Sequence, residues 1–155
     1  MKRSVKKDRF LSKITVAAVI KNCKNKFLMV EENTSDGIKI NQPAGHLEEN
    51  ESVVDAVIRE VKEETGLVFL PLFFISVHQL FLNSSSLFRF NFYGEVDNNL
   101  MPFSHEKQIL KISWLDESEL KKKKKMLRSK CVLKAISDFK LGLNMPLSTI
   151  KNLNL

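Results

Sequence analysis

A chain of 155 residues is long enough to bury one independent core, and its 43% hydrophobic and 28% charged residues exclude a disordered or fibrous protein. No apolar run approaches the roughly 20 residues of a membrane helix, and the basic N-terminus lacks the apolar core of a signal peptide, so the expected location is the cytoplasm. The net charge of +7 is unevenly spread: cations crowd residues 1–13 and 121–134, whereas residues 45–66 are acidic. Twenty of the 25 cations are lysine, a pattern that A/T-rich codon usage explains as readily as a nucleic-acid partner, so most of them are read as a solvated face. The two cysteines, Cys23 and Cys131, are far apart and fit free thiols in a reducing compartment better than a disulfide or a zinc site.

Residues 1–12 read as a basic, disordered tail and residues 13–150 as a single domain. Residues 14–20 (ITVAAVI) are β-branched and apolar, as a buried strand requires, and residues 26–30 (KFLMV) read as its hairpin partner across a polar link. A turn cluster (NTSDG) at residues 33–37 precedes the loop signature Asn41-Gln42-Pro43-Ala44-Gly45. Residues 52–65 predict a helix, with Ser52 as N-cap, Asp55 in its first turn, and Val53, Val54, Val57, Ile58 and Val61 at helical spacing. Gly66 stands where the helix end needs a left-handed residue. Strands are expected at 73–82, 87–96 and 109–115, then helices at 116–125 and 131–141. The interleaving predicts an α/β fold with a mixed sheet covered by helices.

The acidic segment carries the chemistry. Glu60, Glu63 and Glu64 lie three and four residues apart, which puts their carboxylates on neighbouring positions of one helix surface. Like charges at that spacing repel, and a divalent cation with a taste for hard oxygen, such as Mg²⁺, removes the repulsion. Arg59 stands beside them and reaches Glu51 across the preceding loop, pinning loop to helix. Taken alone, paired glutamates on a helix are more often simply solvated.

The whole segment reads Gly-x5-Glu-x7-Arg-Glu-U-x-Glu-Glu-x-Gly-U, where U is aliphatic, met by Gly45, Glu51, Arg59, Glu60, Val61, Glu63, Glu64, Gly66 and Leu67. It resembles the signature box of the Nudix hydrolases. The resemblance implies an α/β/α sandwich with a loop–helix–loop catalytic motif. It implies catalysis through Arg59, Glu60, Glu63 and Glu64, and Mg²⁺ or Mn²⁺ held by Glu60, Glu63, Glu64 and the carbonyl of Gly45. Glu51 and Gly66 then serve the motif's structure. Asn41 to Glu48, Val77-His78-Gln79, Phe88-Arg89-Phe90, Leu127-Arg128-Ser129 and Pro146-Leu147 extend the likeness over about residues 14–150, toward a phosphatase branch of the superfamily. That branch implies release of single orthophosphates from nucleoside tri- and diphosphates, and from the diphosphate of a thiamine-precursor pyrimidine. Pyrophosphate release from nucleotides or RNA 5′ ends is the rival reading, and an RNA-binding module of the same shape a further one. As partners, the resemblance implies a small nucleotide or pyrimidine diphosphate and no membrane, with monomer and homodimer both open.

Outside the box, His46 is a candidate for contacting phosphate or for holding the loop. Arg89 alternates with Phe88 and Phe90 and so faces away from them, toward either a phosphate or acidic metal site or a structural ion pair. His78 is a candidate substrate contact. Glu106, with His105 as competitor, is the candidate extra acid from a later loop, and Trp114 is read as core. No Ser/His/Asp or Cys/His signature and no GxxxxGK loop is present.

Overall fold

The computed structural model describes residues 12–153; the expected basic tail lies outside the described residues except for Ser12. Within them the chain forms β1 (Ser12–Ile20), β2 (Phe27–Thr34), β3 (Gly37–Asn41), β4 (Ala44–His46), α1 (Val53–Thr65), β5 (Leu70–Phe81), β6 (Ser86–Glu95), β7 (Ile109–Leu115), α2 (Glu117–Lys122), α3 (Cys131–Lys140) and β8 (Met145–Pro146). The strands make a five-stranded sheet in the order β4-β1-β6-β5-β8 and a three-stranded sheet in the order β3-β2-β7.

β1 is buried on both faces from Val16 to Ile20, which explains its unbroken apolar run. Val16, Ala18 and Ile20 point to α1 and meet Ala56, Val57 and Val61, together with Phe74 and Phe92 of the neighbouring strands. Val19, on the opposite face, joins Ile75, Met29 and Ile40 beneath Val132, Ala135 and Ile136 of α3. Helices on both faces of the mixed five-stranded sheet and the antiparallel three-stranded sheet make an α/β/α sandwich. Trp114 packs against the α1-side cluster, as a core residue. Among the described residues no helix is long and apolar enough to cross a membrane.

Two expectations are corrected. Residues 14–20 and 26–30 do not form a hairpin: β1 gives one edge to antiparallel β4 and the other to parallel β6, leaving none for β2. β2 pairs with β3 and β7 instead, and only an isolated bridge between Lys21 and Phe27 ties it to the end of β1. The polar link is a tight turn in which Asn22 Oδ1 accepts from the amides of Lys24 and Lys26, and Asn25 takes φ 57°. This turn redirects the chain from one sheet to the other. The helix expected at 116–125 stops at Lys122, after a capping box between Asp116 and Glu119, and continues as a 3₁₀ turn over Lys124–Met126. The tighter turn brings Leu127 beside Ile40 and lets the Arg128 amide donate to the Ile40 carbonyl at 2.8 Å.

Candidate active site

α1 presents two faces with different partners. Its start is fixed by Ser52, whose Oγ accepts from the Asp55 amide at 3.1 Å, and its end by Gly66 at φ 70°. Between them Glu60 and Glu64 share the buried side with Val57 and Val61, so the apolar packing that seats the helix also drives two carboxylates against the sheet. Glu64 is met there by the Ala44 amide, which donates to its Oε2 at 2.9 Å. Glu60 comes against the next residue of β4: a Cβ built on Gly45 would stand 2.0 Å from Glu60 Oε1. Gly45 is therefore required for room, since the carboxylate occupies the place of a side chain.

Arg59 organises the rest of the motif. Its Nε and Nη2 donate to the two oxygens of Glu51 at 3.0 and 2.7 Å, and Nη2 also reaches the His46 carbonyl at 3.0 Å. The loop of residues 47–52 is thus pinned to the helix, as the spacing of Arg59 and Glu51 leads one to expect. Nη1 donates to Glu60 Oε1 at 2.9 Å and to Glu63 Oε2 at 3.0 Å, neutralising part of the crowding that the motif creates. The hydrogen bonds from Arg59 lower the Glu51 carboxyl below its usual range.

The cleft that these groups border has a volume of about 590 Å³. Glu32, Glu48, Glu60, Glu63, Glu64 and Glu106 bring carboxylates to it, and Leu80, Leu82 and Leu87 supply an apolar wall from the ends of β5 and β6. Burial raises Glu64 to about 8, helped by the charges of Glu60 and Glu32 and opposed by the Ala44 amide and Arg89. Glu60 is also raised, first by burial, with Arg59 pulling against it. Beneath the cleft Arg89 is buried in neutral company, its Nη2 donating to Asn41 Oδ1 at 3.1 Å and Gln42 Oε1 at 2.8 Å, and its Nε to Asn91 Oδ1 at 3.3 Å. Burial brings it down to about 10, which still leaves it charged at neutral pH. Of the two roles open to Arg89, neither a direct ion pair nor an exposed phosphate contact describes it. It is the hub of an amide network that holds the Asn41-Gln42 backbone under the site.

Among the described residues no three His, Cys, Asp or Glu side chains already converge on a point where a metal would sit. The reason is visible: Arg59 stands between Glu60 and Glu63, and Glu64 is turned to the Ala44 amide. The donor set nonetheless fits a hard divalent cation. It is all oxygen, it is anionic, and it includes two carboxylates whose ionised form is disfavoured by burial, which raises their pKa values. Because Gly45 has no Cβ, the Glu60 carboxylate lies directly against the β4 backbone.

The remaining candidates divide. Glu106 lines the cleft, positioned by Gln108, whose Nε2 donates to Glu106 Oε2 at 2.8 Å; its loop is tied to α1 by Ser104 Oγ donating to the Glu63 carbonyl at 3.2 Å. His105 does not line the cleft and packs edge-on against Phe103. His46 lines the cleft with its side chain while its carbonyl holds Arg59. His78 is not brought to the cleft. Its Nε2 bonds Asp138 Oδ2 at 2.8 Å, tying β5 to α3, and the neighbouring thiol of Cys131, then Asp138, raise the imidazole pKa. The alternation that puts His78 on the same sheet face as its cross-strand neighbour Arg89 is real, but α3 covers that part of the face. Glu32, Gln108 and the three leucines carry no motif and emerge only from the assembled fold, whereas Arg128 lies in a stretch of the likeness that gives it no role.

The fold and the cleft define a Nudix hydrolase: the NUDIX domain family matches residues 11–136, and the chain belongs to that family. Its relatives include Phosphatase NudJ of Shigella sonnei and of Escherichia coli, each 36% identical over 146 residues that cover 94% of both chains. Among solved structures, a NUDIX hydrolase from Nitrosomonas europaea is similar with a TM-score of 0.84 and 36% identity, over 92% of this chain and 98% of that one. The MutT protein of Methanosarcina mazei, at TM-score 0.68 and 23% identity over 86% of this chain and 97% of that one, shares the fold. Hydrolases of this family generally use divalent cations, commonly Mg²⁺.

Proposed function

We propose that the protein is a metal-dependent phosphatase that removes orthophosphate from nucleoside tri- and diphosphates and from related small diphosphates such as that of the thiamine-precursor pyrimidine. The observation that carries the reading is the cleft itself, where Glu60, Glu63 and Glu64 meet Gly45 at one end and leucines face them from the ends of β5 and β6. The match to a named phosphatase along nearly the whole chain supports the same branch.

Glu60, Glu63, Glu64 and the Gly45 carbonyl would hold the cation, which neutralises phosphate oxygens and makes a bound water more acidic. This chain's residues do the rest. Arg59 keeps the loop and the carboxylates in register. Glu64, buried and fixed by the Ala44 amide, keeps its place without a search through rotamers. The leucine wall takes the ring of the substrate and shields the reacting bond from bulk water. A water oxygen attacks the terminal phosphorus, the bridging P–O bond breaks, and a carboxylate among Glu60, Glu63, Glu64 and Glu106 takes the water's proton.

The test is the product. With Mg²⁺ and a panel of nucleoside tri- and diphosphates and the pyrimidine diphosphate, orthophosphate is expected as the first product, abolished by EDTA. Pyrophosphate from triphosphates would move the enzyme to the pyrophosphohydrolase reading, and no turnover on any of them would sink the proposal.

A further inference from the structure

Three arginines line the cleft, and two of them are spoken for. Arg59 is saturated by Glu51, Glu60, Glu63 and a carbonyl, and Arg89 is buried among amides. Arg128 differs: its backbone amide is bonded to Ile40, but among the described residues its guanidinium makes neither a hydrogen bond nor an ion pair. It is exposed, and it stands in a cleft rich in carboxylates without pairing to any of them. An arginine held by its backbone at the wall of an active cleft, with its fork of donors free, is poised for a ligand that brings its own oxygens.

We infer that Arg128 binds the terminal phosphate of the substrate and makes the enzyme prefer an uncapped phosphate chain over a diphosphate capped by a second organic group. A terminal phosphoryl group offers three non-bridging oxygens and close to two negative charges, enough for a bidentate grip. A capped diphosphate would press a neutral group against the guanidinium and strip it of water with no return. The backbone placement matters here. The 3₁₀ turn at Lys124–Met126 and the bridge from Leu127 to Ile40 fix the Cα of Arg128 beside β3, so only the side chain remains to be ordered by the ligand. The inference deepens the phosphatase reading above and rests on it for the chemistry, but the grip itself is a binding property.

The deciding experiment is therefore binding. Inorganic tripolyphosphate is titrated calorimetrically into the full-length protein in EDTA, comparing wild type with Arg128→Ala, Arg128→Lys and Lys125→Ala. Arg128→Ala is expected to weaken binding about tenfold to a hundredfold, the worth of a charge-assisted pair of hydrogen bonds, with Arg128→Lys in between and Lys125→Ala within about twofold of wild type. With turnover in Mg²⁺, Arg128→Ala should also shrink the kcat/KM ratio of nucleoside triphosphate to a sugar-capped nucleoside diphosphate, mostly through KM. Wild type that does not bind tripolyphosphate, Arg128→Ala that binds as tightly as wild type, or an equal loss in Lys125→Ala would overturn the inference. Because the side chain makes no hydrogen bond or ion pair among the described residues, the variant's melting temperature should match wild type, and a lowered one would also count against the assignment. Absence of turnover with tripolyphosphate binding intact would strike the proposed phosphatase activity and leave the grip standing.

Discussion

Glu64 lies one helical turn beyond Glu60 and faces the same cleft, yet of the three helix glutamates Arg59 reaches only Glu60 and Glu63. Glu64 has the Ala44 amide and the charge of Arg89 against its burial, and its pKa is still pushed up to about 8. A carboxyl raised in the folded state holds its proton more tightly there than in the unfolded chain. Its contribution to stability is thus fully present below the ordinary value near 4.5 and is lost as pH rises toward 8. Glu64→Gln keeps an acceptor for the Ala44 amide and removes the buried charge. Turnover should fall by about a thousandfold or more, as for loss of a principal electrostatic group. In metal-free buffer the variant's melting temperature should equal or exceed that of wild type, by a margin that widens from pH 5 to pH 8. Full activity in this variant would remove Glu64 from the machinery. Gly45→Ala tests the neighbouring contact, between β4 and Glu60. The added methyl would take the place of the Glu60 carboxylate, which is buried and held by Arg59, so the melting temperature should fall and kcat/KM should drop at least about tenfold. Thermal melts and steady-state kinetics on one preparation check both halves. These residues were legible before any fold was known because the box packs them into one contiguous stretch, where helical spacing alone sets their neighbours. Glu32 and the place of Arg128 at the cleft were not, since each reaches it through a strand or turn outside the box.

At the scale of elements, the join between the loop of residues 47–52 and α1 rests on one guanidinium. Arg59→Ala leaves Glu51 and the His46 carbonyl without their donor, and a cost of about 1–3 kcal/mol is expected at pH 7. Glu51 is lowered by this contact, so the stability it lends is present above the ordinary carboxylate value and lost as pH falls through the depressed one. The gap between Arg59→Ala and wild type in urea melts should accordingly narrow below pH 4; a gap independent of pH would show that the ion pair contributes nothing. The helices and most strands were legible because their periodicities are local: α1, β7 and α3 fall within a residue or so of the expected bounds. Pairing was not. Whether an apolar strand turns back on its neighbour or enters another sheet depends on which edges are already taken, and β1 has none to offer β2. The same blindness applies to His78, a candidate substrate contact whose partner Asp138 on α3 comes from far along the chain.

Across the whole molecule, charge is divided between an acidic cleft and a lysine-rich flank. Lys121 pairs with Glu117 one turn away, whereas Lys122, Lys123, Lys124 and Lys125 are exposed and make no ion pair among the described residues. Replacing these four with glutamine should leave kcat/KM for nucleoside triphosphates within about twofold, since exposed charges outside the cleft are screened by salt. A large loss, or binding of RNA that weakens steeply with added salt and vanishes in this variant, would make the flank an interface instead.

The parallel pairing of β1 with β6 also orders events in time. The partner of Ser12 is Ser86 and that of Ile20 is Gly94, so the central seam of the larger sheet joins two stretches with the whole of α1 between them. During synthesis the glutamates therefore emerge before the strand that completes the sheet beneath them, and α1 waits as a marginal, self-repelling helix. Closing so long a loop is entropically slow, and the site gains its geometry in the same late step that commits the chain to its fold.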